Sequence, residues 1–498
     1  MKNLLTGLVL LSALWLHAGP YTIIVNARGF DSDIVSLYRY ADLFSNRMVL
    51  VARGIVDSTG KATLEGEAEG TQKVQLRIGE RHADLYVRRG SVLHVTPYDL
   101  GTARSLNGTT RMGIEFSEVS LLDVNILVGD LNERIDAFIA EDLATDQAAG
   151  MQALDIHRES GAAKPDSTTR PPTLFVTPML SKARVDPFAQ KLRRFYADVE
   201  DPWFAHYLNN SIAGLQVGPR VNERTLFETY VQGRPVQYDD PEYIRLIRTL
   251  FGESLDRLHR DKADSLNTAL SGGDAGALRH LFQGNDFLRT DDRLAELVMM
   301  DQLYLNHASR LVDRSAVEGI LAAVAGNSAY PEHRTIAANM SWDLTAMRVG
   351  TSLPAMRLED EHGRTVEQAD LLKGPVCVAF TAGWCTYCVA EIGSVIKLAE
   401  EHKGAIKVVV IGLDHTLEAF KAAKKSMPTS PHVTWSHAVA EQQLREDLRL
   451  RSLPMFYLLN DAILARSPAP LPSRGLGELF FKAKTEMEHG QRLKVWDD

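Results

Sequence analysis

From Tyr21 to about Thr96 apolar and polar residues alternate. Val74, Leu76 and Ile78 interleave with Lys73, Gln75 and Arg77, and Val49 and Val51 open a second alternating run that stops at the turn signal Asp57-Ser58-Thr59-Gly60. A period of two places one set of side chains on one face of a sheet. The pattern predicts a small β-rich domain, a sandwich or half-barrel, with further strands at Tyr21–Asn26, Asp84–Val87 and Val92–Val95. Between about Leu121 and Val349 the period changes to that of helices. Val317, Ile320, Leu321 and Val324 recur at three, four and seven, as do Leu294, Leu297 and Val298, the latter behind a cap at Thr290 or Asp292. Gly272-Gly273-Asp274, Gly284-Asn285 and Gly326-Asn327-Ser328 punctuate these helices, and the Gly, Pro, Ser and Thr of Gly150 to Thr177 predict an exposed, mobile connection.

After Pro354 strand and helix alternate, as in a sheet covered by helices. A turn at Glu361 to Arg364 precedes the apolar run Val376-Cys377-Val378-Ala379-Phe380, too short for a helix and read as a buried strand. A helix from Cys385 to about Glu401 follows. Then come a strand at Ile406 to Leu413, a helix at Leu417 to Lys425, a strand near His432 to Ser436 and a short helix at Glu441 to Leu448. Strands at Met455 to Leu459 and through Ile463 and Leu464, and a last helix at Leu476 to Glu488, complete the pattern.

The chemistry concentrates where that strand meets its helix, in Trp384-Cys385-Thr386-Tyr387-Cys388. Unpaired N–H groups and roughly half a positive charge at a helix N-terminus favour a thiolate at Cys385, the natural nucleophile. Cys388, one helical turn later, has its Cα about 5 to 6 Å away, within disulfide range, and is the natural resolving thiol. Two other readings stay open: half of a zinc site, for which the remaining Cys377 is badly placed inside a strand, and a static disulfide. Cys377 reads as a buried, inert thiol. His280, His307 and His333 stand alone without a second ligand at helical spacing, so no metal is expected. Tyr196, Trp203, Phe204 and Tyr207 read as core.

Composition narrows the setting. With 498 residues, 45% hydrophobic and 24% charged, the chain has room for about three globular domains. A net charge of -9 leaves no basic field for phosphates, so nucleic acid is not an expected partner. Met1 to Ala18 carries one lysine, an apolar core from Leu4 to Leu16 and a small residue before Gly19. It reads as a secretory signal peptide cleaved after Ala18, the alternative being an uncleaved anchor. The mature protein is then expected in the periplasm or cell envelope, where disulfides persist.

Val349-Gly350, Pro354, Leu372-Lys373-Gly374-Pro375, the WCTYC run, Glu391 in CxxCxxE and Leu453-Pro454-Met455-Phe456 stand in the order found in one family. Over about residues 348 to 490 the chain resembles the TlpA/ResA-like branch of the thioredoxin superfamily, exported thiol-disulfide oxidoreductases. Its upstream parts resemble, more weakly, multidomain exported thioredoxin-like proteins of bacteroidete bacteria. The resemblance implies that Pro454, after Leu453, is a cis-proline presenting its backbone to a substrate strand. It also implies that Glu391 takes and returns the proton of Cys388, and that Trp384 shields the disulfide and offers an aromatic contact. The alternatives are a trans proline and a surface glutamate. The chain departs from the family at Thr386-Tyr387, where proline is common, at Met455, where threonine is common, and at Asp461-Ala462, in place of the usual glycine turn.

The sequence thus reads as a multidomain chain: signal peptide 1–18, β-rich domain 19–100, mainly helical domain 101–347, and an α/β thioredoxin-like domain 348–498. The expected activity is thiol-disulfide exchange with protein substrates, in the reductase or isomerase direction. It needs no cofactor beyond an electron donor, expected to be a membrane-linked thiol relay. A non-catalytic envelope scaffold locked by a Cys385–Cys388 disulfide is the alternative from a different class. A homodimer formed through the upstream domains is the further reading.

Overall fold

The computed structural model describes residues 18–30, 34–79, 81–101, 110–159, 182–217, 222–450 and 452–488. Residues 1–17 of the expected signal peptide lie outside these, as do residues 160–177 of the expected connection. No helix among the described residues is long and apolar enough to cross a membrane. The chain divides into two compact units, the first running essentially to Met340 and the second from Ser341 onward.

In the first unit, strands β1 (Gly19–Asn26), β2 (Ile34–Tyr40), β3 (Met48–Ile55), β4 (Lys61–Ala68), β5 (Gln72–Ile78), β6 (Arg81–Val87), β7 (Val92–Asp99) and β8 (Thr110–Ser117) form a sheet in the order β3-β2-β5-β6-β8-β7-β1-β4. The alternation holds at side-chain level: Tyr21, Ile23 and Val25 of β1 and Val74, Leu76 and Ile78 of β5 are buried in one core, while their neighbours are half-buried or exposed. The sheet passes the expected limit at residue 100, because β8 pairs antiparallel with β7.

Helices α1 (Val124–Glu159), α2 (Lys182–Phe195), α3 (Pro202–Gln216), α4 (Glu223–Tyr230), α5 (Pro241–Phe251), α6 (Ser254–Ser271), α7 (Ala275–Phe282), α8 (Asp292–Leu305), α9 (Arg314–Asn327) and α10 (Pro331–Thr345) follow. Gly150 to Glu159, expected to begin a mobile connection, are the end of α1. Sheet and helices cluster as one unit rather than two domains. Asn125 of α1 shows why: its Oδ1 accepts from Tyr86 N–H at 2.7 Å and its Nδ2 donates to Tyr86 O at 2.8 Å, satisfying β6 as a neighbouring strand would. Arg88, directly after β6, likewise pairs with Asp201, the N-cap of α3. The cap of α8 is Asp291, whose side chain accepts from Leu294 N–H, rather than Thr290 or Asp292. That helix is buried almost all round, so the apolar stripe blurred its start.

Tyr196, Phe204 and Tyr207 are core, and Trp203 is half-buried against them. Trp203 lies 5.4 Å from Tyr207, stacked, and 4.9 Å from Tyr86, and Tyr196 meets Phe204 edge-on at 5.1 Å. His333 is fully buried and hydrogen-bonds Glu296 at 2.7 Å and Tyr238 at 2.8 Å, and His307 bonds Glu318 at 2.9 Å. His280 lies in the last turn of α7.

The second unit holds β9 (Leu358–Glu359), β10 (Thr365–Val366), α11 (Gln368–Leu371), β11 (Pro375–Thr381), α12 (Thr386–Glu401), β12 (Lys407–Gly412), α13 (Leu417–Lys425), β13 (Val433–Ala438), α14 (Glu441–Asp447), β14 (Met455–Asn460), β15 (Ile463–Ala469) and α15 (Leu476–Glu488). The sheet order is β10-β9-β13-β12-β11-β14-β15, with β11 parallel to β12 and antiparallel to β14. Central β11 is apolar at consecutive positions because both faces are covered. Cys377 and Ala379 pack with Ile392 and Val395 of α12, while Val376, Val378 and Phe380 pack with Leu353 and Leu444. The expected hairpin at Glu361 to Arg364 is closed by Asp360 N–H donating to Arg364 O at 2.9 Å. Asp461 and Ala462, both at positive φ, turn β14 into β15.

Candidate active site

At the mouth of β11 the chain turns through Ala382-Gly383-Trp384 into α12. Cys385 is the N-cap: its N–H donates to Ala382 O at 3.0 Å, and its sulfur accepts from Cys388 N–H at 3.2 Å. The helix proper therefore starts at Thr386, one residue later than the sequence suggests, and the sulfur occupies the place of a capping oxygen. Cys385 and Cys388 are joined by a disulfide, with their Cα atoms 5.3 Å apart. Cys388, Glu391, Ile392, Val395, Ile396 and Ala399 are the buried stripe of α12. The stripe explains an asymmetry: Cys388 is 1% exposed, whereas Cys385, at the helix tip, is 9% exposed.

The residues singled out from sequence converge here. The Leu453–Pro454 peptide is cis, the isomer the resemblance implies, and Leu453 O lies 3.7 Å from Cys385 Sγ. Pro454 is buried and Leu453 half-buried. Trp384, Tyr387 and Val389 expose about half of their surfaces around the dithiol, and the Arg445 guanidinium sits 5.6 Å from the Trp384 ring centre. Glu391 is not a surface charge. It is 5% exposed, and both oxygens take donors: Tyr387 Oη at 3.1 Å and Ser473 Oγ on Oε1, Ser473 N–H at 3.2 Å on Oε2. Cys377 lies in the middle of β11, where burial pushes its thiol pKa far up and keeps it inert.

Two partners escaped the sequence reading. Ser473 belongs to a 3₁₀ turn, Pro472–Arg474, within the Pro-rich stretch before α15, and only the fold brings it beneath α12. Asp414, at 2% exposure, accepts from Gly383 N–H at 2.7 Å, while its Oδ2 has no hydrogen-bond partner among the described residues. Burial raises its pKa against the opposing Gly383 N–H bond and the charges of His437 and His415; Glu441 adds to the rise. Its signal in the sequence is an acid directly after a buried strand, at the carboxyl edge where sites of α/β sheets gather. Among the described residues no group of three or more His, Cys, Asp or Glu is arranged to hold a metal.

Comparison with known proteins gives the fold of this unit. Residues 349–438 match the AhpC/TSA family, and the C-terminal domain is thioredoxin-like. No curated protein matches the chain. Solved structures that resemble it include a thioredoxin-like protein from Bacteroides caccae, 17% identical, covering 53% of this chain and 96% of that one with a TM-score of 0.28. A thiol:disulfide interchange protein from Bacteroides sp. is 16% identical, covering 28% and 91% with a TM-score of 0.24. A thioredoxin-like protein from Porphyromonas gingivalis is 15% identical, covering 28% and 94% with a TM-score of 0.23.

Proposed function

We propose that this chain is an exported thiol-disulfide oxidoreductase of the TlpA/ResA-like type, acting on protein disulfides in the periplasm or cell envelope. The observation that carries the reading is the placement of the pair. Cys385 caps α12 beside the Leu453–Pro454 edge, and Cys388 is buried one turn below it. In the reduced protein the Cys385 thiolate attacks one sulfur of a partner disulfide and expels the other as a thiolate, forming a mixed disulfide. Cys388 gives its proton to Glu391 and attacks Cys385 Sγ, releasing the second partner thiol and closing the intramolecular disulfide. Two electrons have then passed from the dithiol to the partner. In the reductase direction a membrane-linked thiol donor returns them; the reductase or isomerase direction is the one the family resemblance implies.

Trp384, Tyr387 and Leu453 supply the apolar contact for an extended partner segment, with the backbone at Pro454 as its edge. The test is a Cys388→Ala variant incubated with an oxidised protein partner and analysed by mass without reductant. Mixed disulfides through Cys385 are expected, and they vanish when Cys385 is also replaced. If no adduct forms and the wild-type disulfide resists titration with thiol buffers while the protein stays folded, the static-disulfide scaffold replaces this reading. A reduction potential near or below about -230 mV supports the reductase direction, and one near about -120 mV reverses it.

A further inference from the structure

Parallel pairing brings two chain segments to one end of the sheet. Thr381 at the end of β11 stands opposite Gly412 at the end of β12, and Leu413 N–H donates to Thr381 O at 2.7 Å. The next residues on one side are Ala382-Gly383-Trp384-Cys385, and the next residue on the other is Asp414. Its carboxylate lies between two glycines. A Cβ on Gly383 would fall 3.0 Å from Asp414 Oδ1 and 2.9 Å from Ala423 Cβ. One on Gly412 would fall 3.1 Å from Oδ2 and run into the Phe420 ring. Neither glycine has a positive φ, so backbone freedom does not require them. Space for the carboxylate and its neighbours does.

The niche is built and only half used. Oδ1 holds Gly383 N–H, two residues before the nucleophile, while Oδ2 is buried with no hydrogen-bond partner among the described residues. An orphan acceptor of this kind is costly to bury. The titratable groups around Asp414 are His437, whose Nε2 bonds the Asp414 carbonyl at 2.8 Å and whose Nδ1 bonds Glu359, and His415, which bonds Glu441 at 2.9 Å. Both imidazoles are thus oriented by other carboxylates, and neither hydrogen-bonds the Asp414 carboxylate.

We propose that Asp414 is a positioning residue of the dithiol: it fixes the Gly383–Cys385 turn through the Gly383 amide, and its negative charge opposes the thiolate of Cys385. This rests on thiol-disulfide exchange as the activity of the site, but it is read from a reaction that needs no protein partner. The reduced full chain is alkylated with iodoacetamide across pH, and the rate at Cys385 is followed by peptide mass. Asp414→Asn keeps an acceptor for Gly383 N–H and removes the charge. Its plateau rate should stay within about threefold of wild type while the midpoint moves to lower pH. Asp414→Ala removes both, and its plateau rate should fall about tenfold, the loss of one hydrogen bond to a charged group.

A midpoint for Asp414→Asn that coincides with wild type overturns the proposal. So does an Asp414→Ala plateau equal to wild type. Should Asp414→Ala fail to fold, the Asp414→Asn midpoint alone decides. A wild-type chain that forms no mixed disulfides sinks the exchange activity and leaves this comparison readable, so the two failures are distinct.

Discussion

Asp240 in the first unit and Asp414 in the second are both 2% exposed, and burial raises the pKa of both. Their surroundings differ. Asp240 Oδ1 accepts from Glu242 N–H at 2.9 Å and Tyr243 N–H at 3.3 Å, and Oδ2 accepts from Asn210 Nδ2 at 2.7 Å. It is the N-cap of α5, with Pro241 at the first helical position, an arrangement written locally in Asp240-Pro241-Glu242. Asp414 caps nothing, holds one amide and leaves an oxygen unmatched. Asp240, whose two oxygens are filled by its own helix start and by Asn210, serves the fold. A buried acid that leaves capacity open beside a reactive group bears a cost that packing alone does not repay.

Stability measurements should separate the two. Asp240→Ala removes a cap and strands the Asn210 amide, and is expected to lower the unfolding free energy by about 3 kcal/mol in urea titration. Asp414→Ala relieves an unmatched oxygen as it loses one bond, so about 1 kcal/mol is expected. An Asp414→Ala loss equal to that of Asp240→Ala would collapse the distinction.

Titration sharpens the contrast. Burial lifts Asp240 from 3.8 to about 6, against the opposing bonds from Asn210, Glu242 N–H and Tyr243 N–H. The folded protein therefore holds this proton more tightly than the unfolded chain. The stability linked to it is complete below about pH 4 and lost as pH rises through about 6. Asp240→Asn keeps the cap and cannot ionise, so its stability relative to wild type should climb by about 2 kcal/mol between pH 4 and pH 7. Paired urea titrations at the two pH values read this directly, and a difference independent of pH would show that Asp240 ionises freely in the folded state.

What the sequence makes legible follows from where information is local. The alternation of Val74, Leu76 and Ile78, the continuous apolar strand before Trp384, and the CxxCxxE spacing are each confined to one element, and each is found in place. The bounds of α13 and α15 coincide with the expected ones. What eluded the sequence depends on two elements meeting. Asn125 looks like an ordinary helix-start asparagine until it is seen pairing with β6, and Ser473 is one serine in a Pro-rich loop until α15 folds back. Asp414 is an unremarked acid after a strand until the parallel register of β11 and β12 sets it beside Gly383. The merging of sheet and helices into one unit has the same origin, because the contacts that join them are side chains whose types predict nothing about their partners.

Glu391 tests the comparison from a third position, since it is buried like Asp240 yet stands beneath the dithiol like Asp414. Its three donors are unequal. Ser473 gives both an N–H and a hydroxyl, whereas the Tyr387 hydroxyl belongs to a side chain that is 54% exposed. Water can take over from an exposed donor at little cost, but not from one beneath the helix. Ser473→Ala should therefore slow release of a partner from the Cys385 mixed disulfide by about tenfold, and Tyr387→Phe by about threefold or less, both read in a single-turnover quench. The reverse order, with Tyr387→Phe the slower variant, would mean that the exposed hydroxyl carries the proton between Glu391 and solvent. The proton that Glu391 takes from Cys388 would then leave through Tyr387, and the donors beneath the helix would only hold the carboxylate in place.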